Sequence, residues 1–259
     1  AESLQSNEGV YFVPALAGGV PANQIPVAED VEDGDAYLEP DASAWAEVNG
    51  VQLSLTSAPS GVPSAADTTV DRLSVKAVRS EARFFIRLTW PDRTADQTAD
   101  DPRSFVDAVA VQLPTNGTTR PAIAMGSPRT TVNVWYWSAE TGVEELLAGG
   151  PGSTTEFQTS GVEAAATHTD GRWQLVFARD ATGGDGRTAI APDRDLDIAF
   201  AVWNGSNMER SGQKAVSEWC TLALGPGPQG PPYQSLLWAI AGLAIVVVVI
   251  VTAIAVRRT

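Results

Sequence analysis

Positive charge is scarce in this chain, and lysine is scarcest of all. Lys76 and Lys214 are the only two lysines in 259 residues, and the chain carries 17 basic against 31 acidic side chains. The resulting formal net charge of −14 repels phosphate backbones and excludes nucleic acid as a partner. Cys220 is the only cysteine, so an internal disulfide, an iron–sulfur cluster and a C-x-x-C-H attachment motif are all excluded. Its surroundings, VSEWCTLAL, alternate like a strand, where a lone cysteine reads as a small buried hydrophobe. Histidine is single too. His168 cannot by itself supply bis-histidine ligation, a His-rich zinc site or a facial triad. A Ser-His-Asp triad would have to use it, and no G-x-S-x-G elbow accompanies it. A P-loop, a G-x-G-x-x-G fingerprint and a paired-carboxylate motif are also missing.

What is present points elsewhere. Acidic residues spread along the whole chain, with lysine nearly absent, suit solvation in very salty water, where their mutual repulsion is screened. With 44% hydrophobic residues the chain can build one generous core. Short alternating or apolar runs such as RLSVKAV, RFFIRLTW, VDAVAVQL, TVNVWYW, RWQLVFA and DIAFAVW are separated by Gly, Pro, Asp and Asn clusters. That pattern predicts an all-β protein, an antiparallel β-sandwich over 44–224. Residues 1–43, acidic and rich in Pro and Gly, read as an extended arm. In WPDRTADQTADD, the acids Asp92, Asp96, Asp100 and Asp101 read as the solvated surface loop of a halophile; a calcium site is the alternative, although the EF-hand spacing is missing.

The C-terminus predicts a membrane anchor. LLWAIAGLAIVVVVIVTAIAV, Leu236 to Val256, carries no charge and matches the ~20 residues that span a bilayer. A single transmembrane helix is expected over 235–256, behind a Pro/Gly linker at 225–234. Arg257 and Arg258 in the tail, 257–259, should stay cytoplasmic, which places the N-terminal domain outside the cell membrane. The chain begins at Ala1 and is expected to be a mature form whose signal peptide has been removed.

Lys214 lies in AVWNGSNMERSGQKAVSEW, beside a loop of Asn, Gly and Ser. Two readings of it stand: an amine that the site requires, or a solvated lysine at a strand start. Family resemblance bears on this choice. VKAVRSEARFFIRLTWPDRTADQ is similar to the W-x-D strand and loop of the haem-binding domains known from γ subunits of ethylbenzene dehydrogenase, dimethyl sulfide dehydrogenase and related type II molybdenum enzymes. DAVAVQLP, PAIAMGSPRTTVNVWYW, DGRWQLVFARD and DIAFAVWNGSNMERSGQKAVSEW resemble its successive blocks, in order, over roughly Ala44 to Leu224.

The resemblance implies one non-covalent haem b per chain, with a methionine and a lysine as axial iron ligands. By position these are Met125, from AMGSP, and Lys214, from GQKAVSEW. Met208, six residues from Lys214, is poorly placed for the opposite haem face, and Lys76 sits mid-strand where a solvated side chain is expected. A soft thioether favours ferrous iron, and an amine ligates only when deprotonated. The implied role is electron transfer without catalysis. The implied partners are an iron–sulfur β subunit, a molybdenum catalytic α subunit and a membrane cytochrome b or quinol-oxidising subunit. The membrane tail departs from the best-known γ subunits, which are soluble. A respiratory nitrate reductase is the first expectation, with chlorate, selenate or dimethyl sulfide enzymes behind it. The alternative is a membrane-anchored carbohydrate-binding or adhesive module, for which the eight tryptophans would speak.

Overall fold

Turn residues and β-branched or aromatic runs alternate along the chain, and the strands follow them. A computed structural model describes residues 23–29, 31, 34–59, 67–116, 120–192 and 194–224. The expected linker, membrane helix and tail, with most of the N-terminal arm, lie outside these residues. Among the described residues no helix is long and apolar enough to cross a membrane, and the only helices are three short 3-10 turns.

The strands are β1 (Gln24–Ala28), β2 (Gly50–Ser54), β3 (Thr56–Ser57), β4 (Arg72–Arg79), β5 (Arg83–Pro91), β6 (Ala108–Pro114) and β7 (Val132–Ser138). They continue with β8 (Gly142–Ala148), β9 (Thr154–Glu156), β10 (Val162–Thr169), β11 (Arg172–Asp180), β12 (Leu196–Trp203), β13 (Ala215–Val216) and β14 (Cys220–Ala223). The protein is all-β, as expected. It is one curled sheet in the order β10-β11-β5-β4-β1-β14-β12-β6-β7-β8-β9, with β2 on β4 and β13 on β12. The expectation of a purely antiparallel sandwich is corrected at one strand. β1, inside the stretch read as an arm, pairs parallel with both β14 and β4 and joins the two halves.

The halves face each other across one core. Phe84 of β5, Trp135 of β7 and Phe177 of β11 meet there, with ring centroids 6.2 Å apart in both the Phe84–Trp135 and Trp135–Phe177 pairs. Such pairs add about 0.5–1.5 kcal/mol each beyond the area they bury. A buried polar network pins the far end of the sheet. Arg179 Nη1 and Trp135 Nε1 donate to Asn133 Oδ1 at 3.0 and 3.1 Å, and Glu145 accepts from Asn133 at 3.1 Å and from Arg187 at 2.9 Å.

Both halves also carry an outward face, and the two are covered differently. Trp45 and Val48, with half-buried Tyr37 and Leu38, close the outer face of β4, β5 and β11 over Val78, Phe85 and Val176. On the other half, β6 and β7 are buried at all but one residue each, so their outer face is covered as well as their core face. That cover is partial, and the candidate site lies there.

Candidate functional site

Strand pairing assembles the floor of this second face. Ala199, Ala201 and Trp203 of β12 sit beside Gln112, Ala110 and Ala108 of β6, which sit beside Val134, Tyr136 and Ser138 of β7. Their neighbours Ile198, Phe200, Val202, Val109, Val111, Trp135 and Trp137 point into the core. Four alanines in two adjacent strands make the floor shallow, and aromatic rings wall it. Tyr136 meets Trp203 edge-on, with centroids 5.7 Å apart. Met125, Tyr136, Leu146, Ala201 and Trp203 pack here and remain half-buried. Burial pushes the Tyr136 phenol up, as does the charge of Glu144.

Met125 stands on a loop fastened above this floor. Gln112 donates to the carbonyl of Ile123 at 2.8 Å, Gly126 N to Ala122 O at 2.8 Å, and Gly150 N to the carbonyl of Met125 at 2.9 Å. Arg120 Nε, at the loop's start, donates to Asp197 Oδ2 at 3.0 Å. Met125 has φ +62°, a left-handed backbone that costs a non-glycine residue about 1–2 kcal/mol. Residues held this way cluster where structure serves function.

Lys214 lies at the other side. Its carbonyl accepts from Ala58 N at 2.9 Å, which fixes the backbone. Its Nζ lies 4.9 Å from the centroid of the Trp203 ring. Among the described residues this amine has no hydrogen bond and no ion pair, and burial alone lowers its pKa. Met125 and Lys214 therefore belong to one face through Trp203: Met125 packs on the cluster that includes it, and the Lys214 amine overlies its ring. Trp219 shares the cluster, and its indole Nε1 is buried without a partner.

The other residues of ligand type are engaged or point elsewhere. Lys76 is not a solvated mid-strand lysine. It is half-buried and donates to Trp45 O at 2.6 Å, which ties the 34–48 cover to β4. Cys220 is buried in the main core. Met208, with φ +59°, is 49% exposed. His168 Nε2 contacts the backbone carbonyl of Asp92 at 3.0 Å and its ring stacks edge-on against Trp173. Among the described residues no serine hydroxyl hydrogen-bonds to it. Asn204 is buried and its Nδ2 donates to Thr69 Oγ1 at 2.9 Å.

One polar group departs from the sequence reading. Asp100 and Asp101 are exposed, as expected of a solvated loop, but Asp92 is buried and stands with Asp96 and the equally buried Asp107. Burial first, then the charge of Asp107, pushes the Asp92 carboxyl up to about 7. Asp107 is pushed up mainly by burial.

The class defined so far is a curled β-sandwich domain with a half-covered apolar face, flanked by a thioether and an unpaired amine. Comparison with known proteins gives the family. The ethylbenzene dehydrogenase family matches residues 42–161 and 151–215, and the chain belongs to it. It is 52% identical over 246 residues to a Haloferax mediterranei protein named as the heme subunit of a respiratory nitrate reductase, covering 95% of this chain and 89% of that one. It is 35% identical over 212 residues to the chlorate reductase subunit gamma of Ideonella dechloratans, covering 80% and 88%. A solved family 9 carbohydrate binding module from Caldicellulosiruptor kristjanssonii aligns with TM-score 0.44 at 9% identity, over 77% of this chain and 83% of that one, which is too distant to bear on function.

Proposed function

We propose that this chain is the haem-carrying electron-transfer subunit of a membrane-bound molybdenum oxidoreductase of the respiratory nitrate reductase type. The observation that carries the reading is the 52% identity to a heme subunit across 95% of the chain. The residues of the second face fit the group. An alanine floor with aromatic walls suits a flat apolar ring, and the partnerless Trp219 N–H offers a donor to a polar edge. Met125 and Lys214 would hold the iron of one non-covalent haem b in this reading.

Bound there, an iron porphyrin supplies reversible one-electron transfer. The chain's own residues do the rest. The Met125 thioether is neutral and soft, which favours the reduced metal. Desolvation holds the Lys214 amine toward its neutral, ligating form. Trp203, Tyr136 and Trp219 exclude water. Two protein ligands leave no position for substrate, so the substrate chemistry falls to a partner. The carbohydrate-binding alternative gives no role to a half-buried, partnerless amine and is set aside.

The chain is then a relay between the quinone or cytochrome side of the membrane and an iron–sulfur subunit, which passes electrons to a molybdenum subunit. Ile123 and Met208, 46% and 49% exposed, are the exposed large hydrophobics among the described residues, and both lie on loops flanking the face. Apolar anchors suit docking to the iron–sulfur subunit in strong salt, where surface ion pairs are screened. In this reading the chain is a halophile's, exported and anchored by 235–256 with only 257–259 in the cytoplasm.

An absorption spectrum of the purified chain tests the reading. A b-type haem spectrum, lost on acid–acetone extraction, is expected. A colourless but folded protein would refute it. Protease added to intact cells should release the domain, and release only from inside-out vesicles would reverse the topology.

A further inference from the structure

The loop between β5 and β6 gathers three carboxylates beside the turn that follows β12. Oxygens of Asp92, Asp96 and Asp107 lie within 4.8 Å of one another. Asp92 and Asp107 are 3% and 0% exposed. Asp107 Oδ1 accepts from Gly205 N at 2.9 Å, and its Oδ2 from Asp96 N at 2.8 Å and Trp173 Nε1 at 3.0 Å. Asp96 Oδ2 accepts from Thr94 Oγ1 at 2.8 Å and Ser206 N at 3.0 Å. Asp92 Oδ1 accepts from Thr94 N at 3.2 Å, whereas Asp92 Oδ2 is buried with no partner at all. Among the described residues no lysine or arginine forms an ion pair with any of the three.

Three buried or half-buried carboxylates with an unused oxygen and no lysine or arginine partner, and only His168 nearby, leave room for one further component, a cation. We propose that Asp92, Asp96 and Asp107 bind a divalent cation of the calcium type. The donors are all hard oxygens, with no sulfur or imidazole in the group, which disfavours zinc and copper. Ligands drawn from an irregular loop suit calcium, which tolerates variable geometry, over magnesium, which demands an octahedron. The site is independent of haem binding, but it has a mechanical link to that face. Asp96 and Asp107 hold the backbone of Ser206 and Gly205. A cation would fasten the β5–β6 loop to the turn that leads toward Lys214.

The test uses the full chain, stripped with EDTA and titrated with terbium while tryptophan is excited. Trp173 touches Asp107, so bound terbium should luminesce. Calcium should displace it, and magnesium at equal concentration should not. Asp96→Asn, at a half-buried loop position compatible with folding, should weaken calcium binding about tenfold or more. Asp100→Asn, at an exposed neighbour, should match the parent. Calcium should also raise the unfolding temperature of the parent and leave that of Asp96→Asn nearly unmoved. Absence of calcium-displaceable emission, or undiminished calcium affinity in Asp96→Asn, would overturn the site and leave a carboxyl–carboxylate group that shares protons. Magnesium competing as well as calcium would overturn the calcium assignment.

Discussion

Replacing Gly126 with alanine probes how firmly the Met125 turn is held. Gly126 has φ +75° and follows Met125, itself left-handed. An alanine at such a φ costs about 1–2 kcal/mol. Its Cβ would also fall 2.5 Å from Thr130 O, a backbone atom that cannot rotate aside. Relief requires opening the Ser127–Thr130 turn, whose two backbone hydrogen bonds are 2.9 and 3.1 Å long. Each is worth roughly 0.5–1.5 kcal/mol, so the total loss is about 2–5 kcal/mol. At roughly 2–4 °C per kcal/mol for a domain of this size, Tm should fall by about 4–20 °C. Gly142→Ala is the internal control, because Gly142 has φ +80° and an added Cβ would meet nothing within 4 Å. It bears only the backbone cost of about 1–2 kcal/mol, or about 2–8 °C. Thermal unfolding followed by circular dichroism measures both. Haem retention, read from visible absorbance, should fall in Gly126→Ala and hold in Gly142→Ala. Equal Tm losses in the two variants would refute the claim that the Thr130 contact fixes the Met125 loop.

Met125→Ala should lower the haem potential or loosen the haem, and Lys214→Ala should let the reduced protein bind carbon monoxide where the parent does not; those effects in His168→Ala instead would reassign the ligands. Burial pushes the Cys220 thiol up to about 11, so native protein at pH 8 should resist iodoacetamide that labels it at once after unfolding. Because the folded-state value is the higher one, this thiol's contribution to stability is complete below about pH 9 and is lost as the pH rises through about 11. Glu145→Ala should cost about 3–5 kcal/mol in denaturant unfolding, since it leaves the Arg179 guanidinium, 2% exposed, without its carboxylate. A loss under about 1 kcal/mol would show that water or another acceptor replaces Glu145.

The legible parts of the fold are the strands whose residues prefer strand geometry. RFFIRLTW, TVNVWYW and DIAFAVW are aromatic or β-branched and became β5, β7 and β12. β8, GVEELLA, and β10, VEAAATHT, went unread because alanine and glutamate carry little strand signal. β1, QIPVA, hides in an acidic, Pro-rich stretch, and its parallel pairing depends on partners far along the chain. At the candidate site, Met125 and Lys214 are expectations of the resemblance, whereas the floor is written locally. Ala108 and Ala110 alternate with Val109 and Val111, and Ala199 and Ala201 with Ile198 and Phe200, a small-large period of two that marks a face left shallow. The burial of Asp92 had no such mark. The residues that follow it, Arg93 to Ala95, are exposed, and the packing of Trp173 and the Gly205 turn around Asp107 takes the cluster out of water.

The position of β1 also sets an order of events during synthesis. Its first residue pairs with Thr221 of the last strand, while its C-terminal residues Val27 and Ala28 pair with Ala77 and Val78. The β4 side of that seam can form as soon as residue 78 has emerged, but the β14 side must wait for nearly the whole domain. Closing a loop between the two ends of a domain is slow, and the waiting strand edge is prone to wrong pairings. Completing the β4–β1–β14 seam therefore draws on strands from both ends of the described domain.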